Sequence, residues 1–320
     1  MMLYPFLHLF LSTLMMSTAM ALCSHHWTVI WMMLELNMIS FIPIITSSNW
    51  HQEHEAGLKY LMFQALGSSL LLLFSFNPNM AASLVLALTI KLGAAPFHFW
   101  FPSVMKGISW SAAILLMTWQ KVAPMALMFS CFHHKPLMTA LGTASAAVGG
   151  IGGMNQTHMR PLLAYSSIGH MGWIIVGTAY SPSSAAMYFM VYLILSLAII
   201  STCLLSNVSL LKNTLSPHNS LHLKLLIPTM ISLGGLPPFA GFIPKLVILA
   251  SMKTLIVPMI LIVSSLMNLT YYLNFIFTAY LSQDQLKTPS KKEETPFFLS
   301  LCTWASISPL PMLLITFILI

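Results

Sequence analysis

Charge is what this chain lacks: of its 320 residues only 6% are charged, six of them acidic, while 58% are hydrophobic. Soluble domains average about 25% charged residues, so a water-exposed globule is excluded. Cysteine is nearly as scarce. Cys23, Cys131, Cys203 and Cys302 lie far apart, with no CxxC spacing and no histidine at metal-ligand distance, so nothing supports an iron–sulfur cluster, a zinc site or a disulfide framework. The formal net charge of +7 is spread over loops rather than gathered into a basic, aromatic-rich face, which leaves nucleic-acid binding without support. The start, MMLYPFLHLFLSTLMMSTAMAL, has neither the basic flank and cleavage site of a secretory signal nor the Arg-rich pattern of a transit peptide; it reads as a first spanning helix.

What is abundant is lipid-compatible sequence. Mean hydropathy is +0.84, and apolar runs recur at about the 20-residue length that crosses a bilayer. Polar and Pro/Asn-rich breaks predict an all-α polytopic bundle of eleven helices, near 3–22, 27–47, 59–77, 80–101, 107–130, 137–153, 159–180, 184–206, 224–252, 255–281 and 296–319. Basic residues should crowd the inner side of such a bundle. On the N-terminal side fall Lys59, Lys106, Arg160, Lys212, Lys224, Lys287, Lys291 and Lys292, against Lys135 and Lys253 opposite. The N-terminus is therefore expected inside, and the C-terminus outside.

A repeat is visible. LGAAPFHFWFP from Leu92 matches LGGLPPFAGFIP from Leu233 with one extra residue, in helices four and nine. This predicts two five-helix units, at 1–132 and 133–281, followed by a loop and a last helix at 282–320. Because five is odd, the second unit should be inverted relative to the first. Paired Gly/Pro-interrupted helices in two halves are a pointer to a transport site. Pro96, Pro102, Pro238 and Pro244 each lack an N–H and should free the carbonyls of Leu92, His98, Gly234 and Ala240. Such carbonyls are tolerable only inside protein or beside water, which predicts short unwound segments near Lys91 and Lys245; a plain packing kink is the alternative.

Three lysines, Lys91, Lys121 and Lys245, fall within helices, and of the acidic residues only Glu35 is expected at membrane depth. Inserting four such groups costs roughly 10–14 kcal/mol even on lenient scales, so they are paired, hydrated or working. Burial favours the neutral amine and a nearby carboxylate favours the ammonium, so moving the influence of Glu35 would switch a lysine between holding and releasing a proton. A static Glu35–Lys91 salt bridge is the competing reading. Lys121 has no evident carboxylate partner, and Pro124 leaves the carbonyl of Gln120 open to water. His98 and His170 could extend a proton path as neutral imidazoles, or could simply pack.

KLGAAPFHFW, LLMTWQKVAP, NQTHMRPLLAYSSIGHMGW and SLGGLPPFAGFIPK, in that order, closely resemble the antiporter-like membrane subunits of mitochondrial NADH:ubiquinone oxidoreductase, respiratory complex I. The similarity runs from WMMLELNMISFIP at residue 31 to the end of the tenth helix. The resemblance implies a proton-translocating subunit of the inner-membrane arm, surrounded by lipid and by other membrane-arm and accessory subunits. It implies that the NADH, flavin (FMN), iron–sulfur and ubiquinone chemistry resides in those other subunits, with no cofactor or metal in this chain. It also implies roles: Glu35 and Lys91 as the glutamate–lysine pair of a half-channel, Lys121 as the central lysine and Lys245 as the terminal residue near the exit. A sibling subunit carries glutamate at the last place, so a lysine there argues against that sibling, and the short chain argues against the largest one. A free-standing cation/proton antiporter and a non-pumping structural subunit are the rival readings.

Overall fold

Within lipid every backbone N–H and C=O must be satisfied inside the chain, and helices do this segment by segment. The computed structural model describes residues 5–47, 50–76, 81–130, 134–206, 220–237, 239–252 and 254–283, and every element in them is a helix. In chain order these are α1 (Pro5–Cys23), α2 (Trp27–Ile45), α3 (His51–Phe76), α4 (Ala81–Leu92), α5 (Trp100–Gly107), α6 (Trp110–Met117), α7 (Trp119–Phe129), α8 (Lys135–Met154), α9 (Met159–Tyr180), α10 (Pro182–Ser206), α11 (Ser220–Gly234), α12 (Phe242–Ser251) and α13 (Ile256–Gln283). Among the described residues eight stretches, counting α6 and α7 as one, are long and apolar enough to cross a membrane. The fourth and ninth expected spans are the two interrupted ones, α4 with α5 and α11 with α12. The eleventh span, expected at 296–319, lies outside the described residues.

Three features differ from expectation. The fourth span ends at Gly107, not near residue 101, because Pro102 lies in the first turn of α5, where helix N–H groups have no intrahelical partner in any case. The third helix starts at His51, not near residue 59, because HQEHE continues the helix rather than breaking it: Glu53 sits in the first turn, favoured there by the helix dipole, and Lys59 donates to Glu55 one turn back at 2.6 Å. Glu53 is buried, so the polar run is not a solvated loop. The fifth span bends at Thr118, whose hydroxyl donates to the Ile114 carbonyl at 2.6 Å.

The chain divides into two compact units, Met1–Leu141 and Gly142–Ile320. In the first, α2 packs between α1 and α3, α3 packs on α4 and α5, and α4 on α7. In the second, α9 is buried along almost its whole length, against α10, α12 and α13. The glycines of α8 explain how it reaches α9. A Cβ on Gly149 would stand 2.6 Å from the Gly169 Cα, and one on Gly172 would stand 2.5 Å from the Ala146 nitrogen, so backbone touches backbone as small residues permit in membranes.

Candidate functional site

In the first unit the site begins where α4 stops. Gly93 adopts φ +70°, the left-handed conformation glycine takes without penalty. Its N–H bonds to Ile90 O at 3.1 Å and that of Ala94 to Thr89 O at 2.9 Å, which is the Schellman pattern of a helix C-terminus. Two carbonyls of this last turn also accept side-chain donors: Trp100 Nε1 donates to Ile90 O at 3.2 Å, and Gln64 Nε2 to Lys91 O at 3.2 Å. The end of α4 is thus stabilised by residues from α5 and α3.

Lys91 is buried and lines a cavity of ≈ 20 Å³, room for about one water. Lys121, in the first turn of α7, lines the same cavity, with its ammonium 4.7 Å from the centre of the Phe101 ring, at cation–π distance. Tyr60, Gln64, Asn37 and Gln120 complete the polar lining. Tyr60 donates to Gln120 Oε1 at 3.3 Å, and Gln120 Nε2 donates to Asn37 Oδ1 at 3.2 Å. Two basic groups therefore share one small polar chamber walled by neutral amides and a phenol.

Glu35 is half-buried on α2, two residues from Asn37, and does not line the cavity. Among the described residues no contact ion pair joins it to Lys91. His98 is buried in the interruption, with Nδ1 3.3 Å from Pro96 O and its ring against Phe99; it too is outside the cavity lining.

The second unit uses the same break with a different cap. Gly235, at φ +76°, ends α11, its N–H bonding to Ile231 O at 3.1 Å and Ser232 O at 3.0 Å. Lys245, buried in the first turn of α12, reaches back across the interruption and donates to Gly234 O at 2.8 Å and Leu233 O at 3.4 Å. Gly234 closes α11, and the last carbonyls of a helix have no intrahelical N–H to accept from, so a lysine ammonium takes the place of the missing backbone donor. Aligned on the two left-handed glycines, the repeat needs no inserted residue: Pro96 and Pro102 fall on Pro238 and Pro244. Lys245 then matches Ser103, and Leu233 matches Lys91. The two lysines are not equivalents, since one precedes its break and the other follows it.

His170, on α9, meets the Tyr188 hydroxyl at 2.8 Å and lies 5.5 Å from the Tyr192 ring. Tyr188 stacks on Trp173, whose ring centre is 5.9 Å from the Lys245 ammonium. An aromatic series thus separates His170 from Lys245 within this unit. Sequence reasoning did not find Asn37, Tyr60, Gln64 or Gln120. The available signal was that Asn37 and Gln64 are isolated amides in apolar runs, where a polar group needs a partner, and that Gln120 adjoins Lys121.

The family model described as "NADH:quinone oxidoreductase/Mrp antiporter, TM" matches residues 24–82 and 75–270, a span that includes both interrupted helices and the three buried lysines. Among curated proteins, the NADH-ubiquinone oxidoreductase chain 2 of Lumbricus terrestris is 42% identical over 97% of this chain and 98% of its own length. That of Bos taurus is 34% identical over 85% of each. The chain belongs to the NADH-ubiquinone oxidoreductase chain 2 family. Its fold is shared with a chain of respiratory complex I from Thermus thermophilus, at TM-score 0.84 and 22% identity over 97% of this chain and 79% of that one. It is shared also with a chain of the Mrp complex from Dietzia sp., at TM-score 0.73 and 18% identity over 82% and 58%.

Proposed function

We propose that this multi-pass membrane protein is a proton-translocating subunit of respiratory complex I in the mitochondrial inner membrane, with its N-terminus on the matrix side and its C-terminus on the intermembrane-space side. NADH, FMN, iron–sulfur clusters and ubiquinone are handled by other subunits. The observation that carries this reading is the pair of buried lysines, Lys91 and Lys121, facing one polar cavity beside an interrupted helix. Among the described residues Lys91 makes no contact ion pair, so it is held in a balance that a modest change of local potential tips, and Glu35 on α2 is the carboxylate that supplies that potential at a distance. Quinone chemistry elsewhere in the complex shifts charge toward Glu35, Lys91 releases its proton across the cavity to Lys121, and Lys245 completes the route in the second unit. The amides of Asn37, Gln64 and Gln120 hold the cavity polar, so that a water can bridge the two amines.

The test is Lys91→Met in the assembled complex, reconstituted in vesicles, with protons moved per NADH oxidised as the readout. The expected result is a lower proton yield with the complex still assembled. An unchanged yield would return Lys91 to a packing role. A native gel of mild-detergent extract separates the rival reading: a free-standing antiporter would migrate apart from NADH dehydrogenase activity.

A further inference from the structure

Along α13 runs a row of residues that the described helices leave uncovered. Ile260, Val263, Met267, Thr270, Asn274 and Phe277 follow one another at alternating spacings of three and four residues, the repeat with which two helices wind round each other. Ile260, Val263 and Phe277 are 39%, 51% and 61% exposed, Thr270 and Asn274 are exposed, and Met267 is half-buried. At its start this seam is hollow: Ala147 and Ile151 of α8 face Ile260, Val263 and Met267 across a groove of ≈ 290 Å³. The hollow exists because α8 is slender there. A Cβ on Gly150 would stand 3.2 Å from the Met267 Cβ.

An apolar seam alone would suit lipid, but Asn274 does not. It lies inside the apolar stretch Ile256–Thr278, and its Cβ leans toward the N-terminal end of the helix, hence toward the interior of that stretch. Its amide brings donors and an acceptor, and among the described residues nothing hydrogen-bonds them. Acyl chains offer no partner, and an amide left unbonded in hydrocarbon is costly. One turn away the Thr270 hydroxyl donates to Met267 O at 2.8 Å, which leaves its lone pairs able to accept. Asn274 also occupies the same place in the repeat as Ile260 and Met267, the place at which a single asparagine fixes the register of a partner helix.

We propose that this seam holds one membrane-spanning helix of a different chain, apolar where it fills the groove and carrying a serine, threonine, asparagine or glutamine at the level of Asn274. The proposal rests on the subunit reading above, which supplies neighbouring spans of other sequence. Polar side chains that bond across helices, between faces that otherwise pack by shape, are the usual means of pairing spans in lipid.

Cross-linking in the assembled complex, in its native membrane, tests this. In the full chain with its four cysteines replaced by serine, a photoactivatable thiol reagent is attached at Val263→Cys, at Phe277→Cys and, as control, at Ile262→Cys, an exposed position off the seam. The expected result is a single partner: one span of another chain, joined to residues 263 and 277 at sites about fourteen residues apart, with no protein joined to residue 262. Asn274→Leu should lower that yield about three- to tenfold, and Asn274→Gln should keep most of it. The direction is diagnostic, because leucine in place of asparagine on a face that meets only lipid would leave the chain inserted as well or better. Adducts with lipid alone, with a second copy or within the same chain overturn the proposal, as does a yield that Asn274→Leu leaves unchanged. A native gel stained for NADH dehydrogenase keeps the two readings apart. If the chain comigrates with the activity but gives no adduct, the seam alone is refuted; if it migrates apart, the subunit reading falls and the adduct decides the seam by itself.

Discussion

Two adjacent glycines should respond to the same substitution with opposite sign. Gly235→Ala places a side chain at φ +76°, a left-handed conformation that costs an L-residue about 1–2 kcal/mol. The new Cβ would stand 2.7 Å from the Lys245 Nζ, so the ammonium must withdraw from Gly234 O, forfeiting a charge-assisted bond worth about 1.5–3 kcal/mol. The total is about 2.5–5 kcal/mol. Gly234→Ala is different. Its Cβ meets the Leu269 Cδ1 at 3.3 Å, the end of a flexible side chain, and the Tyr272 ring at 3.6 Å, an ordinary contact, while alanine in place of glycine gains up to about 1 kcal/mol of helix propensity. The reporter is Cys203, fully buried in α10, in a chain whose other three cysteines are replaced by serine. Maleimide labelling of Cys203 requires opening of the unit, so Gly235→Ala should accelerate it roughly 10²- to 5 × 10³-fold and Gly234→Ala should not accelerate it at all. In a Lys245→Met background the cost of Gly235→Ala should fall to its backbone part, about 1–2 kcal/mol. An equal acceleration with and without Lys245 would refute the claim that the lysine caps this break.

Gln120→Leu removes the acceptor of Tyr60 and the donor to Asn37, costing about 2 kcal/mol and making one wall of the Lys91–Lys121 cavity apolar; proton yield per NADH in the reconstituted complex should fall, and an unchanged yield would show that the cavity carries no protons. Gly149→Ala forces α8 away from the Gly169 backbone, and the expected outcome is loss of the chain from the assembled complex on native gels. Tyr188→Phe deletes the 2.8 Å partner of His170 and should lower thermal stability by about 1 kcal/mol; no change would mean the bond contributes nothing.

How much of this could be read from the sequence follows the strength of the local constraint. Apolar run length fixes a span, so ten of the eleven expected helices coincide with described elements. The doubled LG and Pro-Phe pattern correctly marked the two interruptions. The site was legible as ionisable residues but not as a site: Lys91 and Lys121 are thirty residues apart, and only the packing of α4 on α7 makes them neighbours. Tyr60 and Gln64, one turn apart on α3, looked like ordinary interior residues because nothing in sequence says which face of α3 meets α4. HQEHE was misjudged as a break because polarity at a span's end marks where lipid stops, while the helix itself continues on i,i+4 pairs and a favourable dipole. The extra residue in the repeat was an artefact of aligning leucines; only the backbone conformation identifies Gly93 and Gly235 as the fixed points.

The corrected alignment gives the two lysines different physical consequences. In the first unit, neutral donors from Gln64 and Trp100 serve the end of α4, and among the described residues Lys91 gives its ammonium to no carbonyl. Removing its charge therefore leaves every backbone bond of that break in place. In the second unit the equivalent carbonyl, Leu233 O, and its neighbour Gly234 O look to Lys245. A neutral Lys245 still has hydrogens to donate but no longer the charge that strengthens the bond, so the backbone at that break weakens with each loss of the proton. The asymmetry is testable with the thiol reporter, each rate being divided by that of the unfolded chain at the same pH because maleimide reacts with the thiolate: the ratio for Cys203 should rise with pH in the native chain and stay flat in Lys245→Met, and a rise that survives the substitution would place its source elsewhere.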